Sequence, residues 1–316
     1  MTQSAVSQTD RPAGRFVVGT RGSPLAMAQA NEFARRMAQA HGWAPGQLDI
    51  QAIKTSGDQI QDRPLSEAGG KGLFTRELDI EQAAGRIDFA VHSAKDLPTV
   101  LPEGIVIAGY LPREDVRDAL IARDVTRIED LPQGAIVGSA SLRRQAMLRR
   151  LRPDLDIVLL RGNVARRLSK VESGEIAATL LAIAGLNRLG MSEVATTILP
   201  VEQFLPAVGQ GAIAVTVRAD DPAAAEAVRP IICEDTGIAL AAERAMLTVL
   251  DGSCRTPIAG HATVSGGQVW LRGLLLSPDG SASAGDEIIG PANEAAALGT
   301  ELGKRLRVRA PHGIYG

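Results

Sequence analysis

Ala135-Ile136-Val137-Gly138-Ser139-Ala140-Ser141-Leu142-Arg143-Arg144 passes from a short apolar run, through a glycine and two hydroxyl residues, into a segment of helix-forming side chains. β-Branched Ile and Val suit a pleated strand. Ser139 and Ser141 are of the type that caps a helix, because the hydroxyl oxygen accepts one of its unbonded first N–H groups. The stretch therefore reads as strand, turn and helix, and the same reading recurs along the chain. Arg15 to Thr20 is a buried strand, Arg21-Gly22 turns, and Ser23-Pro24 starts a helix that reaches His41 and stops at Gly42. Ile157–Leu160 leads through Gly162-Asn163 into a helix over 164–172, and Ala178–Ile183 leads into one ending at Gly190. Leu48–Thr55 and Ile87–Val91 are further strands, with a helix around 74–84. Strands alternating with helices predict a mostly parallel sheet.

Two such α/β lobes are expected, the first ending near Leu111 and the second near Phe204. Ile213–Arg218 is a strand that arrives after the second lobe. Its return to the first sheet would make two chain crossings and a hinged cleft. The expected division is 15–111 plus 212–229 for one lobe, 117–205 for the other, and 231–316 for a smaller α+β unit. In that unit Asp235-Thr236 is expected to cap a helix through Val249, with Gly252 ending it. An antiparallel alternation around Val269–Leu276 and a closing helix over 293–306 follow.

The formal net charge is only -2, yet nine basic residues crowd between Arg143 and Lys170 against Asp154 and Asp156 alone. Local charge of this kind suggests a site for an anion, and the planar fork of Arg suits carboxylate or phosphate. Arg149, Arg150 and Arg152 read as a solvated helix face. Arg143, Arg144, Arg161 and Arg167 lie where strands turn into helices, as do Arg21 and Ser23. Ligands of open α/β sheets bind at such junctions, and helix N-termini favour anions. A cleft lined with carboxylate or phosphate binders is the expectation.

Two Trp, two Tyr and five Phe leave too few stacking platforms for a single-strand nucleic-acid binder, so no nucleic acid is expected. No apolar run is long enough to span a bilayer, and residues 1–14 have no apolar signal core, so a soluble cytoplasmic protein without a membrane partner is expected. Cys233 and Cys254 are expected as free thiols. His41, His92, His261 and His312 show no metal-ligand spacing, so no metal is expected. Lys71 in Ala68-Gly69-Gly70-Lys71-Gly72 lacks the Ser or Thr of a P-loop. Gly209-Gln210-Gly211 matches the letters of a dinucleotide fingerprint but leads into a strand, so it reads as a hinge or tight turn.

Two residues carry candidate chemistry. Asp96, in His92-Ser93-Ala94-Lys95-Asp96-Leu97-Pro98, lies just past a strand end. It reads either as a turn cap or as an ionised carboxylate among cations, able to move a proton and to steady a developing positive charge. Cys254, in Asp251-Gly252-Ser253-Cys254-Arg255, follows a helix C-terminus, with no His–Asp pair recognisable beside it. A thiol used as an anchoring point remains open.

At these residues the chain resembles the porphobilinogen deaminase (hydroxymethylbilane synthase) family. The resemblance runs from Val17 to about Leu276. It is carried by Gly19-Thr20-Arg21-Gly22-Ser23, Gly69-Gly70-Lys71-Gly72, His92-Ser93-Ala94-Lys95-Asp96, Gly138 to Arg144, Leu160 to Leu168, Ala182 to Gly190 and Leu205 to Ala212. It implies two hinged lobes like type II periplasmic binding proteins, plus an α+β third domain. It implies a transferase that links four porphobilinogens with loss of ammonia, giving 1-hydroxymethylbilane for heme biosynthesis. It further implies a dipyrromethane cofactor held by a thioether to Cys254, with Asp96 assisting formation of an azafulvene cation. By the same resemblance Arg21, Arg143, Arg144, Arg161, Arg167 and Arg188 hold carboxylates or the cofactor. Ser23, Ser93, Lys95, Ser139 and Ser141 are donors, Lys71 sits in a loop over the cleft, and the chain is a monomer. Ala140 and Glu67 depart from many relatives. A non-catalytic two-lobed binder of a small polyanion is the alternative.

Overall fold

The computed structural model describes residues 15–44, 46–59, 72–250, 256–310 and 314. The chain opens with β1 (Phe16–Arg21), α1 (Pro24–His41), β2 (Leu48–Ile53), α2 (Ser56–Gln59), α3 (Arg76–Ala83), β3 (Phe89–Ser93) and β4 (Ile105–Tyr110). The start of α1 follows from its sequence: Ser23 Oγ accepts the Ala26 N–H at 3.3 Å, and Pro24 stands in the first turn. Its end is Gly42, at φ 66°, where a side chain would be strained.

The second lobe comprises β5 (Asp118–Ala122), β6 (Ile136–Gly138), α4 (Leu142–Leu151), β7 (Asp156–Val158), α5 (Val164–Glu172), β8 (Ala178–Ala182), α6 (Ile183–Leu189) and β9 (Thr197–Ile198). The chain then returns through β10 (Ile213–Arg218) and α7 (Pro222–Val228). The third unit is α8 (Glu234–Val249), β11 (Ile258–Ser265), β12 (Gln268–Leu276), β13 (Ser283–Pro291) and α9 (Ala295–Val308).

The sheets are mixed rather than mostly parallel. The first has the order β2-β1-β3-β10-β4, and the second β7-β6-β8-β5-β9. In the first, β1 runs parallel to β2 and β3, but β10 is antiparallel to both of its neighbours. In the second, β5 is antiparallel to β8 and β9. The reason is topological. A strand that arrives from the other lobe enters from the edge where the local strands leave, and so runs the opposite way. Burial alone does not reveal direction, because a strand covered on both faces is uniformly apolar whichever way it runs.

Each lobe has its own core: Val18, Phe33, Met37, Phe89 and Val215 in the first, and Leu120, Val137, Leu148 and Leu180 in the second. The third unit packs α8 and α9 on its antiparallel sheet. Its core of Leu240, Met246, Leu271 and Leu302 continues into Leu97, Val208 and Ala212 of the lobes.

Two local expectations are corrected. The N-cap of α8 is Cys233, not Asp235-Thr236; the Thr236 hydroxyl instead accepts the Arg113 N–H at 3.2 Å. Arg149 and Arg150 are not simply a solvated face: they donate to the Pro278 carbonyl (2.8 Å) and the Ser283 hydroxyl (2.6 Å), tying α4 to the third unit. Arg152 closes onto Asp154 and the Glu129 and Leu131 carbonyls.

Candidate active site

Strand direction brings the site together. β1 and β3 are parallel, so Arg21 and Ser93, their last residues, emerge at one edge of the first sheet. β10 is antiparallel with Ile213 opposite Ser93, so residues 209–212 reach that same edge. In the second sheet β6, β7 and β8 are parallel and end at Gly138, Val158 and Ala182. β5 starts at Asp118, directly opposite Ala182. Ser139, Arg161 and Asp118 thereby share the carboxyl edge of the second lobe, the edge at which α/β sheets take ligands.

Asp96 closes a short 3-10 turn, Ala94–Asp96, placed directly after β3. Its carboxylate is part-exposed, 3.7 Å from Arg21 Nη1. Arg21 is itself fixed. Its Nε donates to Asp58 Oδ2 at 3.2 Å, its Nη2 bonds the other carboxylate oxygen, and its guanidinium lies 4.1 Å from the Phe74 ring centre. Burial would raise the Asp58 carboxyl, but bonds from Arg21 and Thr55 hold it below the ordinary range. The Arg21–Asp58 pair is therefore locked, with one edge of the guanidinium facing Asp96.

Lys95 is exposed, with Arg143, Arg144, Asp96 and Asp118 close by. Desolvation, with Arg144 and Arg143 nearby, pushes its ammonium down to about 8 against the pull of Asp96 and Asp118. Arg167 is pushed down to about 10 by burial and by Arg144 and Arg161, with Asp96 opposing. Its Nε donates to the Gly162 carbonyl at 3.0 Å. Arg161 Nη2 reaches across to the Gly57 carbonyl of the first lobe at 3.2 Å. The structure thus brings Arg21, Lys95 and Arg167 to Asp96, with Arg161 beside Arg167, so that both lobes contribute.

The serines emerge at the same edges. Ser139 Oγ accepts the Ser141 N–H at 3.2 Å, and Ser141 Oγ accepts the Arg144 N–H at 3.4 Å at the start of α4. Like Ser23, they act as acceptors here and keep their own hydroxyl proton for donation. Ser93 Oγ pairs with the buried Gln29 amide at 2.9 Å.

Other predicted residues are turned elsewhere. Arg143 and Arg144 are buried on either side of Asp118, which accepts from each at 2.7 Å. Their remaining terminal nitrogens donate to the Leu205 and Leu180 carbonyls, both at 2.8 Å. Burial would raise the Asp118 carboxyl, but the two guanidiniums overcome this and hold it well below the usual range. Arg188 joins the lobes at the α1–α6 seam, with Nε 3.2 Å from Glu32 Oε2 and Nη2 donating to the Gly211 carbonyl at 3.0 Å. Lys71 and Cys254 lie outside the described residues.

Asp58, Phe74, Asp118, Gln210, Arg113 and Glu243 are further participants that the sequence pattern does not mark as site residues. Arg113 forms a two-pronged pair with fully buried Glu243, at 2.6 and 3.1 Å, and donates to the Gln210 carbonyl at 2.9 Å. Glu243 also accepts the Gly209 and Ala262 N–H groups, so one carboxylate joins both lobe crossings to the third unit. Only Gln210 carried a local signal, its two flanking glycines. Among the described residues no group of His, Cys, Asp and Glu side chains is arranged to hold a metal, and no helix is long and apolar enough to cross a membrane.

The fold and site define a two-lobed α/β protein joined to an α+β domain, with Arg21, Lys95 and Arg167 beside the Asp96 carboxylate. Two family models match the chain: "Porphobilinogen deaminase, dipyromethane cofactor binding domain" over residues 16–226, and "Porphobilinogen deaminase, C-terminal domain" over 238–308. The chain belongs to the porphobilinogen deaminase family. The porphobilinogen deaminase of Nitrobacter hamburgensis is 56% identical over 93% of each chain. That of Paracoccus denitrificans is 52% identical over 98% of this chain and 99% of its own. Among solved structures, the periplasmic aliphatic sulphonate binding protein SsuA from Escherichia coli is 13% identical, with a TM-score of 0.41 over 77% of this chain and 73% of that one.

Proposed function

We propose that this chain is a transferase that joins four porphobilinogen molecules head to tail, losing ammonia at each step, to give 1-hydroxymethylbilane for tetrapyrrole and heme synthesis. The observation that carries this reading is the Asp96 carboxylate, held beside Arg21 in a ring of cations drawn from both lobes.

The ring has a physical consequence. Lys95 and Arg167 are depressed by desolvation and by the cations near them, so a polyanion placed among them relieves repulsion. Each pyrrole of the substrate carries an acetate and a propionate, both ionised at neutral pH. Arg21, Lys95, Arg161 and Arg167 are suited to hold them as charge-assisted hydrogen bonds, with Ser23, Ser93, Ser139 and Ser141 as neutral donors. The family's dipyrromethane fits this donor set, since its two pyrroles bring four carboxylates; when bound it supplies the pyrrole carbon to which the first substrate unit is joined.

In this reading Asp96 works at the substrate's aminomethyl group and pyrrole N–H. An ionised carboxylate there steadies the positive charge that develops as ammonia leaves, and it accepts or returns the pyrrole proton. Arg21, 3.7 Å away, faces Asp96 and aims it. Arg143 and Arg144 contribute from behind, as a buried frame around Asp118. Cys254 is the proposed thioether anchor, on the strength of the sequence resemblance, and Lys71 the proposed basic residue of the covering loop. A monomer acting in the cytoplasm completes the reading.

Intact mass of the purified native protein tests it. The mass should exceed that of the chain by two pyrrole units, and dimethylaminobenzaldehyde should colour the protein. Cys254→Ser should lose the adduct, the colour and ammonia release together. An active protein with a bare Cys254 thiol would sink the anchor.

A further inference from the structure

Gly209-Gln210-Gly211 has a geometry that the reaction outlined above leaves unused. Gln210 is buried, and its Nε2 donates both protons, to the Val116 carbonyl and to Asp118 Oδ1, each at 2.8 Å. The amide orientation is thereby fixed, because a flipped amide would set its oxygen against two acceptors. Its Oε1 is left facing Lys95 Nζ at 3.4 Å. The flanking glycines make this approach possible. Gly209 has φ 76°, and a Cβ there would lie 3.0 Å from the Lys95 backbone nitrogen. Gly211 has φ 85°, and a Cβ there would lie 2.4 Å from the Glu114 carbonyl oxygen.

We propose that Gln210 is a positioning residue for Lys95, linking Asp118 of the second lobe, through the returning chain crossing, to the ammonium that stands beside Asp96 in the first. The role rests on the reading above that Lys95 serves the site. Asp118 opens β5 immediately after the first crossing, while Gln210 lies on the second, so the link spans both segments on which the lobes turn. A change in lobe angle would move the Gln210 oxygen relative to Lys95. The charged groups facing Lys95 are Arg143 and Arg144 from α4, Asp118 from β5 and Asp96 from its own turn. Gln210 is the neutral acceptor among them, and an acceptor aimed at an ammonium favours its charged form.

The test is competitive labelling of the native protein with trace acetic anhydride, read peptide by peptide by mass spectrometry, with the exposed Lys54 and Lys304 as internal references. Gln210→Met keeps the bulk and removes the acceptor, so a larger share of Lys95 is neutral. Its labelling at pH 7 should rise about threefold relative to the references, equivalent to roughly half a pH unit in its titration. Gln210→Asn, one methylene shorter, cannot reach both Asp118 and Lys95 and should move Lys95 in the same direction. A residue that only braces the hinge would lower the melting temperature and leave the Lys95 ratio where it was. An unchanged ratio in either cooperatively melting variant overturns the proposal. The labelling reads Lys95 whether or not the protein turns over porphobilinogen, so loss of the positioning role and loss of the transferase reading are separate results.

Discussion

Asp96 is the side chain on which the proposed chemistry turns, and its setting gives a clean substitution. Asp96→Asn keeps the shape of the turn but removes the charge opposite Arg21. Turnover should fall by at least about 100-fold while far-UV circular dichroism stays native; wild-type turnover would remove Asp96 from its role. His92, three residues from Lys95, behaves differently. It is buried with Nε2 3.4 Å from the Thr216 hydroxyl, and burial, helped by Arg21, pushes it down to about 4. Above pH 6.5 folded and unfolded chains both carry it neutral, so it adds nothing to pH dependence. As pH falls from 6.5 to about 4, the unfolded chain binds a proton that the folded one refuses, and stability drains away. The loss due to His92 by pH 4.5 should be about 2–3 kcal/mol. In urea titrations His92→Gln should lose correspondingly less stability between pH 7 and 4.5; an equal loss in both proteins would contradict the assignment. His261, also lowered chiefly by burial, titrates in both proteins and cancels in the comparison.

At the scale of elements, most helix caps were legible, that of α8 excepted, and strand directions were not. Ser23, Ser141 and Asn163 each cap the helix their spacing predicts, accepting N–H groups of Ala26, Arg144 and Arg166. Such signals lie within three residues of their effect. The antiparallel placement of β10 and β5 has no such signal, since it depends on where the chain crosses. The α8–α9 pair shows a second kind of information, that of size. A Cβ on Gly299 would lie 2.1 Å from the Ala242 carbonyl oxygen, and one on Gly303 would lie 2.9 Å from that of Met246. The helices touch backbone to backbone, and even a methyl group must part them. Gly299→Ala, although the better helix former, should destabilise the protein by about 1–3 kcal/mol and lower its melting temperature. A raised melting temperature would show that the helices are not in contact there.

For the whole molecule, the ion pair of Arg113 with Glu243 is the joint among three domains. Glu243 is fully buried and also holds the Gly209 and Ala262 N–H groups. Removing one partner leaves the other charge buried without compensation. Arg113→Leu should therefore cost about 3–5 kcal/mol in chemical denaturation. It should also loosen the third domain, read as faster hydrogen exchange along α8. A loss within about 0.5 kcal/mol would show that the joint is not structural. Arg188 with Glu32 is a second link between the lobes, on the α1–α6 seam.

The sequence by itself determined the repeating strand–turn–helix units, most helix ends, the two-lobed plan with a third α+β part, and the stretches that bear Asp96 and the arginines. Capping, glycine stops and apolar periodicity act between neighbours in the chain, so their outcome is written locally. Only the tertiary structure decided which arginines face the site. Arg143 and Arg144 look like Arg161 and Arg167 in sequence, yet the first two are drawn inward by Asp118, while Arg167 faces Asp96 with Arg161 beside it. Arg113 meets a carboxylate 130 residues away, and Gln210 meets one 92 residues away. Coulomb attraction and burial act through space, and the chain must cross twice between the lobes before those partners become neighbours.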